Sequence, residues 1–253
     1  MGAVDPGLIA LVSGVFLLAG TVKGVVGLGL PTVSIALLTF ALGPDPAVVL
    51  MLLPSLVTNV WQAAVGGHFR ALLRELRFFF AGTAATLWFG VLWRSTFAPD
   101  TLTLVIGGLV AFYALVGLAT PQWPVPRART TRWSHPIMGL VSGVMTGLSG
   151  LFILPGVMYI QALQLGRDRQ VQCQGMMFTL TTVGLLLAFG SRGVATPTLL
   201  GLSAFGVLPA ACGLWLGGRL RRRLSETQFR RAVLIALLLL GTYIVVRTGV
   251  GGV

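Results

Sequence analysis

The chain alternates long apolar runs with short polar interruptions, and the runs have the length of membrane spans. Residues 7–23 are apolar; the run is interrupted over 24–29 and resumes over 31–42. Gly43-Pro44-Asp45-Pro46 reads as a turn in which Asp45 caps the next helix and Pro46 takes its first position. Residues 47–65, 78–93 and 101–119 read as spans, with a basic loop over 68–77 and a short loop over 94–100 between them. Residues 120–135, rich in proline and arginine, form the longest polar stretch and divide the chain near its middle. The second half repeats the plan. Apolar residues 137–146 lead into a glycine break, a second piece over 151–165, a turn with Asp168 as cap, and spans over 171–189, 198–216 and 232–246.

Runs of this length are read as spans because about 20 helical residues cross the hydrocarbon core. The pattern predicts an all-α polytopic membrane protein with about 8–10 membrane segments. It is built from two repeats, each a broken or re-entrant helix hairpin followed by three transmembrane helices. The first repeat covers residues 1–120, a linker 121–135, and the second repeat 136–253. Shifting the chain by 123 residues lays Gly24 on Gly147, Gly27 on Gly150, Asp45 on Asp168, Val48 on Val171 and Thr58 on Thr181.

Composition narrows the class. Of 253 residues, 55% are hydrophobic and 9% charged, whereas a soluble domain carries about 25% charged residues. The net charge of +12 would suit nucleic acid if the basic residues were clustered on a soluble face. Here the arginines fill short loops between apolar runs, which is how membrane orientation is encoded, so the expected partners are lipids and not nucleic acid. Placing the loops around Arg70, Arg127, Arg167 and Arg219 in the cytoplasm puts fourteen arginines there and leaves Arg94, Arg192 and Arg247 outside. Each broken region must then enter and leave by the same side. Both termini lie outside, the two repeats are inverted as in many secondary transporters, and the location is a cell membrane, the bacterial cytoplasmic membrane fitting best. Met1 to Pro6 has no positive charge, so the first run reads as a permanent segment and not a secretory signal.

Chemistry enters at the breaks. Lys23-Gly24-Val25-Val26-Gly27-Leu28-Gly29-Leu30-Pro31 places a cation, three glycines and a proline inside an apolar region. Charge at that depth is expensive, and helix breakers there must have their backbone groups satisfied by neighbours. The same kind of break recurs at Thr146-Gly147-Leu148-Ser149-Gly150 with Pro155. Paired breaks in the two halves of a membrane protein point to a transporter's binding site. A broken helix frees N–H donors that, with the dipole, suit an anion. No Asp or Glu lies near the centre of a predicted span, so the site suits a small anion better than a cation. The candidate substrate-binding residues are Lys23, Gly24, Gly27, Gly29, Thr32, Asn59, Gln62, Thr146, Gly147, Ser149, Gly150, Thr181 and Thr182. Thr58 is a further polar neighbour. Alternatives stay open: Lys23 snorkelling to an interface, the glycines serving helix packing, and the threonines and Asn59 bonding between helices.

Cys173, Cys212, His68 and His135 are too few for a disulfide scaffold or a metal cluster, so no metal and no cofactor is expected. No Ser-His or paired-carboxylate constellation lies at membrane depth, which disfavours an enzyme. The sequence carries no signal for an oligomeric state.

Gly24 to Pro31 resembles the N-terminal motif of the TauE/SafE sulfite exporter family, also called the toluene sulfonate uptake permease family. Gly143 to Pro155 is similar to that family's second repeat, and Leu224-Ser225-Glu226-Thr227-Gln228-Phe229-Arg230-Arg231 resembles its C-terminal run. The resemblance covers nearly the whole chain. Leu151-Phe152 stands where more glycine is typical, a departure that bears on substrate more than on fold. The resemblance implies export or uptake of sulfur-containing anions such as sulfite or organosulfonates. The expected function is therefore a secondary transporter working by alternating access about the paired breaks. An anion channel and a non-transporting membrane scaffold or assembly factor are the alternatives.

Overall fold

The computed structural model describes residues 5–119, 133–221, 223 and 225–250. Every regular element among them is helical. In chain order these are α1 (Pro6–Val26), α2 (Leu30–Leu42), α3 (Pro44–Ala64), α4 (Phe69–Glu75), α5 (Arg77–Arg94), α6 (Pro99–Ala119), α7 (Ser134–Ser149), a π-helical turn (Ile153–Val157), α8 (Met158–Ala162), α9 (Arg167–Ser191), α10 (Pro197–Leu220) and α11 (Glu226–Val250). Helices α1, α3, α6, α9, α10 and α11 are long and apolar enough to cross a membrane. Helices α4 and α5, bent by 75° at their junction, make a seventh span if taken together. The hairpin arms α2, α7 and the turn with α8 are shorter. The chain is an all-α, multi-pass membrane protein.

Local chemistry sets the ends of these helices. Asp5 caps α1 by accepting from the Gly7 N–H at 3.0 Å, with Pro6 in the first turn. Gly27 ends α1 with φ of 86°, its N–H returning to the Lys23 carbonyl at 2.7 Å. Gly29 starts α2 with φ of 111°. Both angles lie where a side chain is costly. The first break is thus confined to Gly27–Gly29, narrower than the expected 24–29, because Gly24 continues the helix.

Two further expectations are corrected. Asp45 and Asp168 are not caps. Gly43 and Gly166 hold those positions with φ of 87° and 82°, and the carboxylates sit in the first turns of α3 and α9. Pro44, with its fixed φ and missing N–H, takes the first helical place ahead of Asp45. Residues 68–77 are not a loop either. Leu72 and Leu76 recur at a helical interval and are fully buried, while Arg70 and Arg74 face outward. That amphipathic stripe folds α4 as a helix lying across the start of α5. The expected linker, 121–135, falls mainly outside the described residues; its last two positions, Ser134 and His135, open α7.

Packing pairs the halves. Helix α1 lies along α10, α5 along α7, α3 along α9, and α6 along α11. Exchanging one half for the other turns the first pair into the second and leaves the last two unchanged. Glycine makes the first two seams close. A Cβ on Gly20 or Gly24 would meet the Ala210 or Leu214 carbonyl at 2.3 or 2.4 Å, and one on Gly213 or Gly217 the Leu17 or Thr21 carbonyl at 2.2 Å. On the other seam, Gly90, Gly139 and Gly147 would strike the Val144, Phe79 and Leu87 carbonyls at 2.2–2.3 Å. Small residues let membrane helices gain close van der Waals contact that bulkier ones forbid. Pro54 inside α3 leaves the Leu50 carbonyl without its usual donor; Ser203 of α10 supplies one, its hydroxyl donating at 2.8 Å. Outward faces carry Phe89, Leu115, Leu208 and Leu239 exposed, as a hydrocarbon surround allows.

Candidate functional site

Lys23 lies in the last turn of α1, one turn before the Gly27 break, and is 4% exposed. Its ammonium donates to the Thr58 hydroxyl at 3.1 Å and to Asn59 Oδ1. Thr58 spends its own proton within α3, on the Pro54 and Ser55 carbonyls at 2.9 and 3.2 Å, so its lone pair faces the lysine. A lysine can only donate, and the Asn59 amide is therefore turned with its oxygen to Lys23 and its nitrogen away. That nitrogen is buried and has no partner. Burying a donor in this state is costly, and a site kept so is one where a ligand acceptor would be welcome. No carboxylate among the described residues forms an ion pair with Lys23.

The lysine lines a cavity of about 710 Å³. Gly24, Gly27, Thr58 and Gln62 line it, as do Trp61, Arg167, Asp168 and Arg221. The cavity is more basic than acidic, and the neutral amides and hydroxyl inside it add polarity without negative charge. Arg167, Arg221 and Lys23 share its lining with one carboxylate, Asp168, and charges in a walled cleft act more strongly than in open water.

Of the thirteen residues expected to bind substrate, Lys23, Gly24, Gly27 and Gln62 line this cavity, and Asn59 is bonded to Lys23. Gly24 also packs on α10. Gln62 donates its amide to the Val171 carbonyl at 2.9 Å. Gly29 and Thr32 line a separate small cavity of about 20 Å³ toward α6 and α11. The second-half candidates do not line the Lys23 cavity. Gly147 belongs to the α5–α7 seam, and Gly150, with φ of 73°, packs on Val48. Ser149 donates to the Met145 carbonyl and accepts from the Leu151 N–H at 3.1 Å, tightening the second break. Thr181 and Thr182 donate to the Phe178 carbonyl of their own helix at 3.2 and 2.6 Å. Thr146 is fully buried with a hydroxyl lacking a partner.

Four polar groups lay outside the expected site. Thr39, Ser55 and Gln174 are buried with unpartnered side-chain atoms, and none of them carried a break or a charge to draw notice. Arg94, expected in an outer loop, is instead the buried last residue of α5, bonded to Asp45. The sequence signal was faint: an arginine ending one apolar run and an acid opening another, 49 positions apart.

A family model described as Sulfite exporter TauE/SafE matches residues 12–244. No curated protein and no solved structure matches the chain.

Proposed function

The chain belongs to the TauE/SafE sulfite exporter family, and from that premise and the Lys23 cavity we propose that it is a secondary transporter that exports small sulfur-containing anions, sulfite or organosulfonates, by alternating access. The family is one of membrane transporters and not of enzymes. The observation that carries the finer reading is the buried Lys23 ammonium, held by Thr58 and Asn59 and lacking a carboxylate partner among the described residues. A buried cation with only neutral partners is an incomplete pair, and an oxyanion completes it. What favours a transporter over a channel is that the cavity reaching Lys23 and the one at Arg94 share no lining residue. Inverted repeats, with the arginine-rich loops and the Lys23 cavity on the cytoplasmic side and both termini outside, fit the loop charges.

The test is anion-dependent thermal stabilisation of the purified protein, with sulfite, sulfate, thiosulfate, sulfoacetate, taurine and acetate as probes. A ligand that binds only the folded state stabilises it by about 2.7 kcal/mol at a hundredfold excess over Kd. We expect at least one sulfur oxyanion or sulfonate to raise the melting temperature, acetate not to, and Lys23→Ala to remove the response. A Lys23→Ala protein that responds as wild type does would remove the anion site from Lys23 and leave a scaffold as the better reading.

A further inference from the structure

The end of the fold away from the Lys23 cavity is closed over one guanidinium. Arg94 is 3% exposed. Its Nε and Nη2 donate to Asp45 Oδ1 at 2.9 and 2.7 Å, and its Nη1 donates to the Leu148 carbonyl at 2.7 Å. One side chain therefore joins the end of α5, the first turn of α3 and the last turn of α7, two residues before the Gly150 break. Phe189 of α9 faces the guanidinium, 5.7 Å from ring centroid to carbon. A cavity of about 380 Å³ runs in from this end, lined by Asp45, Arg94 and Arg192 among others. Lys23 and Thr58 are not part of its wall.

The two halves supply an internal comparison. At the offset of 123 residues, Asp45 corresponds to Asp168 and Val48 to Val171; across the glycine seams the offset is 127, since Gly90 meets Val144 and Gly147 as Gly217 meets Thr21 and Gly24, so the counterpart of Arg94 is Arg221, which lines the Lys23 cavity. Val171 lines the Lys23 cavity and is 37% exposed, whereas Val48, one turn beyond Asp45, is fully buried against Gly150. The Asp45 end is shut over Val48, and the Asp168 end is open to Val171.

The pieces that meet at Arg94 differ in how firmly they are joined. Helices α5 and α7 share a glycine seam with backbone in contact, so they move together. Their junction with the N-terminal end of α3 is polar, and the Asp45 side chain is half exposed, so water can take over its bonds when the ends part. We propose that the Arg94–Asp45 pair, with the Leu148 carbonyl, is the gate at this end of the transport path, opened when α5 and α7 swing together away from α3. The proposal rests on the transport reading above.

The test reads access and not flux. In full-length protein in membrane vesicles, Cys212→Ala with the buried Cys173 retained gives the blank. Single Val48→Cys and Val171→Cys variants of that parent are treated with a membrane-impermeant methanethiosulfonate from either face. With the gate intact, Val171→Cys reacts from its own face and Val48→Cys reacts no faster than the blank. Adding Asp45→Asn or Arg94→Gln raises Val48→Cys labelling about tenfold, from the opposite face, and Asp45→Glu restores protection. Unchanged protection of Val48→Cys in Asp45→Asn overturns the gate. That variant decides alone if Arg94→Gln does not accumulate, because Asp45 is half exposed and asparagine keeps its shape. Sulfite efflux from the same vesicles is scored separately. Labelling that opens without any sulfite efflux in the intact protein would reject the substrate and keep the gate.

Discussion

Gln62 and Gln172 hold α3 and α9 together by exchanging bonds with each other's backbone. Gln62 Nε2 donates to the Val171 carbonyl at 2.9 Å, and Gln172 Nε2 donates to the Ala63 carbonyl at 2.8 Å. The Gln172 oxygen also accepts from the His68 N–H at 2.8 Å, closing the Gly66-Gly67 turn over itself. The central helix pair is thus locked at its Lys23-cavity end. Replacing Gln172 by leucine strands the Ala63 carbonyl and the His68 N–H. The Ala63 carbonyl, as a buried orphan, costs about 1–3 kcal/mol and the part-buried His68 N–H less, and 1 kcal/mol is worth about 2–4 °C in a chain of this size. Gln172→Leu should therefore melt at least several degrees below wild type in detergent, and Gln62→Leu, which loses one bond, by less. Equal melting temperatures would show that the pair does not lock the helices.

Lys23→Met should separate fold from function. The ammonium is buried with neutral partners, so removing it relieves desolvation while leaving Asn59 Oδ1 without its donor. These effects oppose each other at about 1–3 kcal/mol each. The expected result is a folded, monodisperse protein with a melting temperature close to wild type and sulfite efflux at background. Efflux at the wild-type rate would dismiss Lys23 as the anion's partner.

The glycine seams should be intolerant of a single methyl group. A Cβ at Gly147 would stand 2.2 Å from the Leu87 carbonyl, and one at Gly213 equally close to the Leu17 carbonyl. Backbone cannot yield as a side-chain tip does, so Gly147→Ala and Gly213→Ala should each cost about 1–3 kcal/mol or more. Gly108, inside α6, has nothing within 4 Å of the place a methyl group would take; there Gly→Ala should be neutral or stabilise by up to about 1 kcal/mol. Melting curves of the three variants in one detergent test the ranking.

At Gly27 the expected cost is backbone strain alone, since φ is 86° and nothing lies within 4 Å of a Cβ. Gly27→Ala should cost about 1–2 kcal/mol, and Gly27→Asn less, because asparagine tolerates this conformation. A Gly27→Asn protein no more stable than Gly27→Ala would point to a direct backbone role for the glycine, beyond its angle.

The helical, multi-pass plan was legible because apolar run length is a property of each segment alone. The breaks were legible for the same reason: glycine and proline act locally, and Gly27 and Gly150 do end helices, and Gly29 starts one, in left-handed backbone. What was hidden depends on distant partners. Gly24 looked like part of the break until α10 was seen against it. Gly147, its register mate, proved to be a seam glycine on α5. Asp45 looked like a cap because its reach to Arg94 cannot be inferred from spacing. The arm after the second break differs from α2, and the reason is tertiary: a Cβ on Gly156 would fall 2.0 Å from the Met177 methyl, so this segment lies pressed on α9. Lys23 was singled out by its surroundings in sequence, but its bonds to Thr58 and Asn59 follow only from the crossing of α1 and α3.

The seam between α1 and α10 has a consequence for how the protein is made. Gly20 reaches the membrane 193 residues before Gly213, the position that completes its seam. At ribosomal rates of about 5–20 residues per second, the interval is about 10 to 40 s. Throughout it, the notched face of α1 has no α10 to cover it. The newborn first helix must therefore wait beside the insertion machinery or in lipid, and maturation is gated by the arrival of the tenth. A ribosome stalled before α10 should hold α1 in a protease- and crosslinker-accessible state that full-length chains have lost.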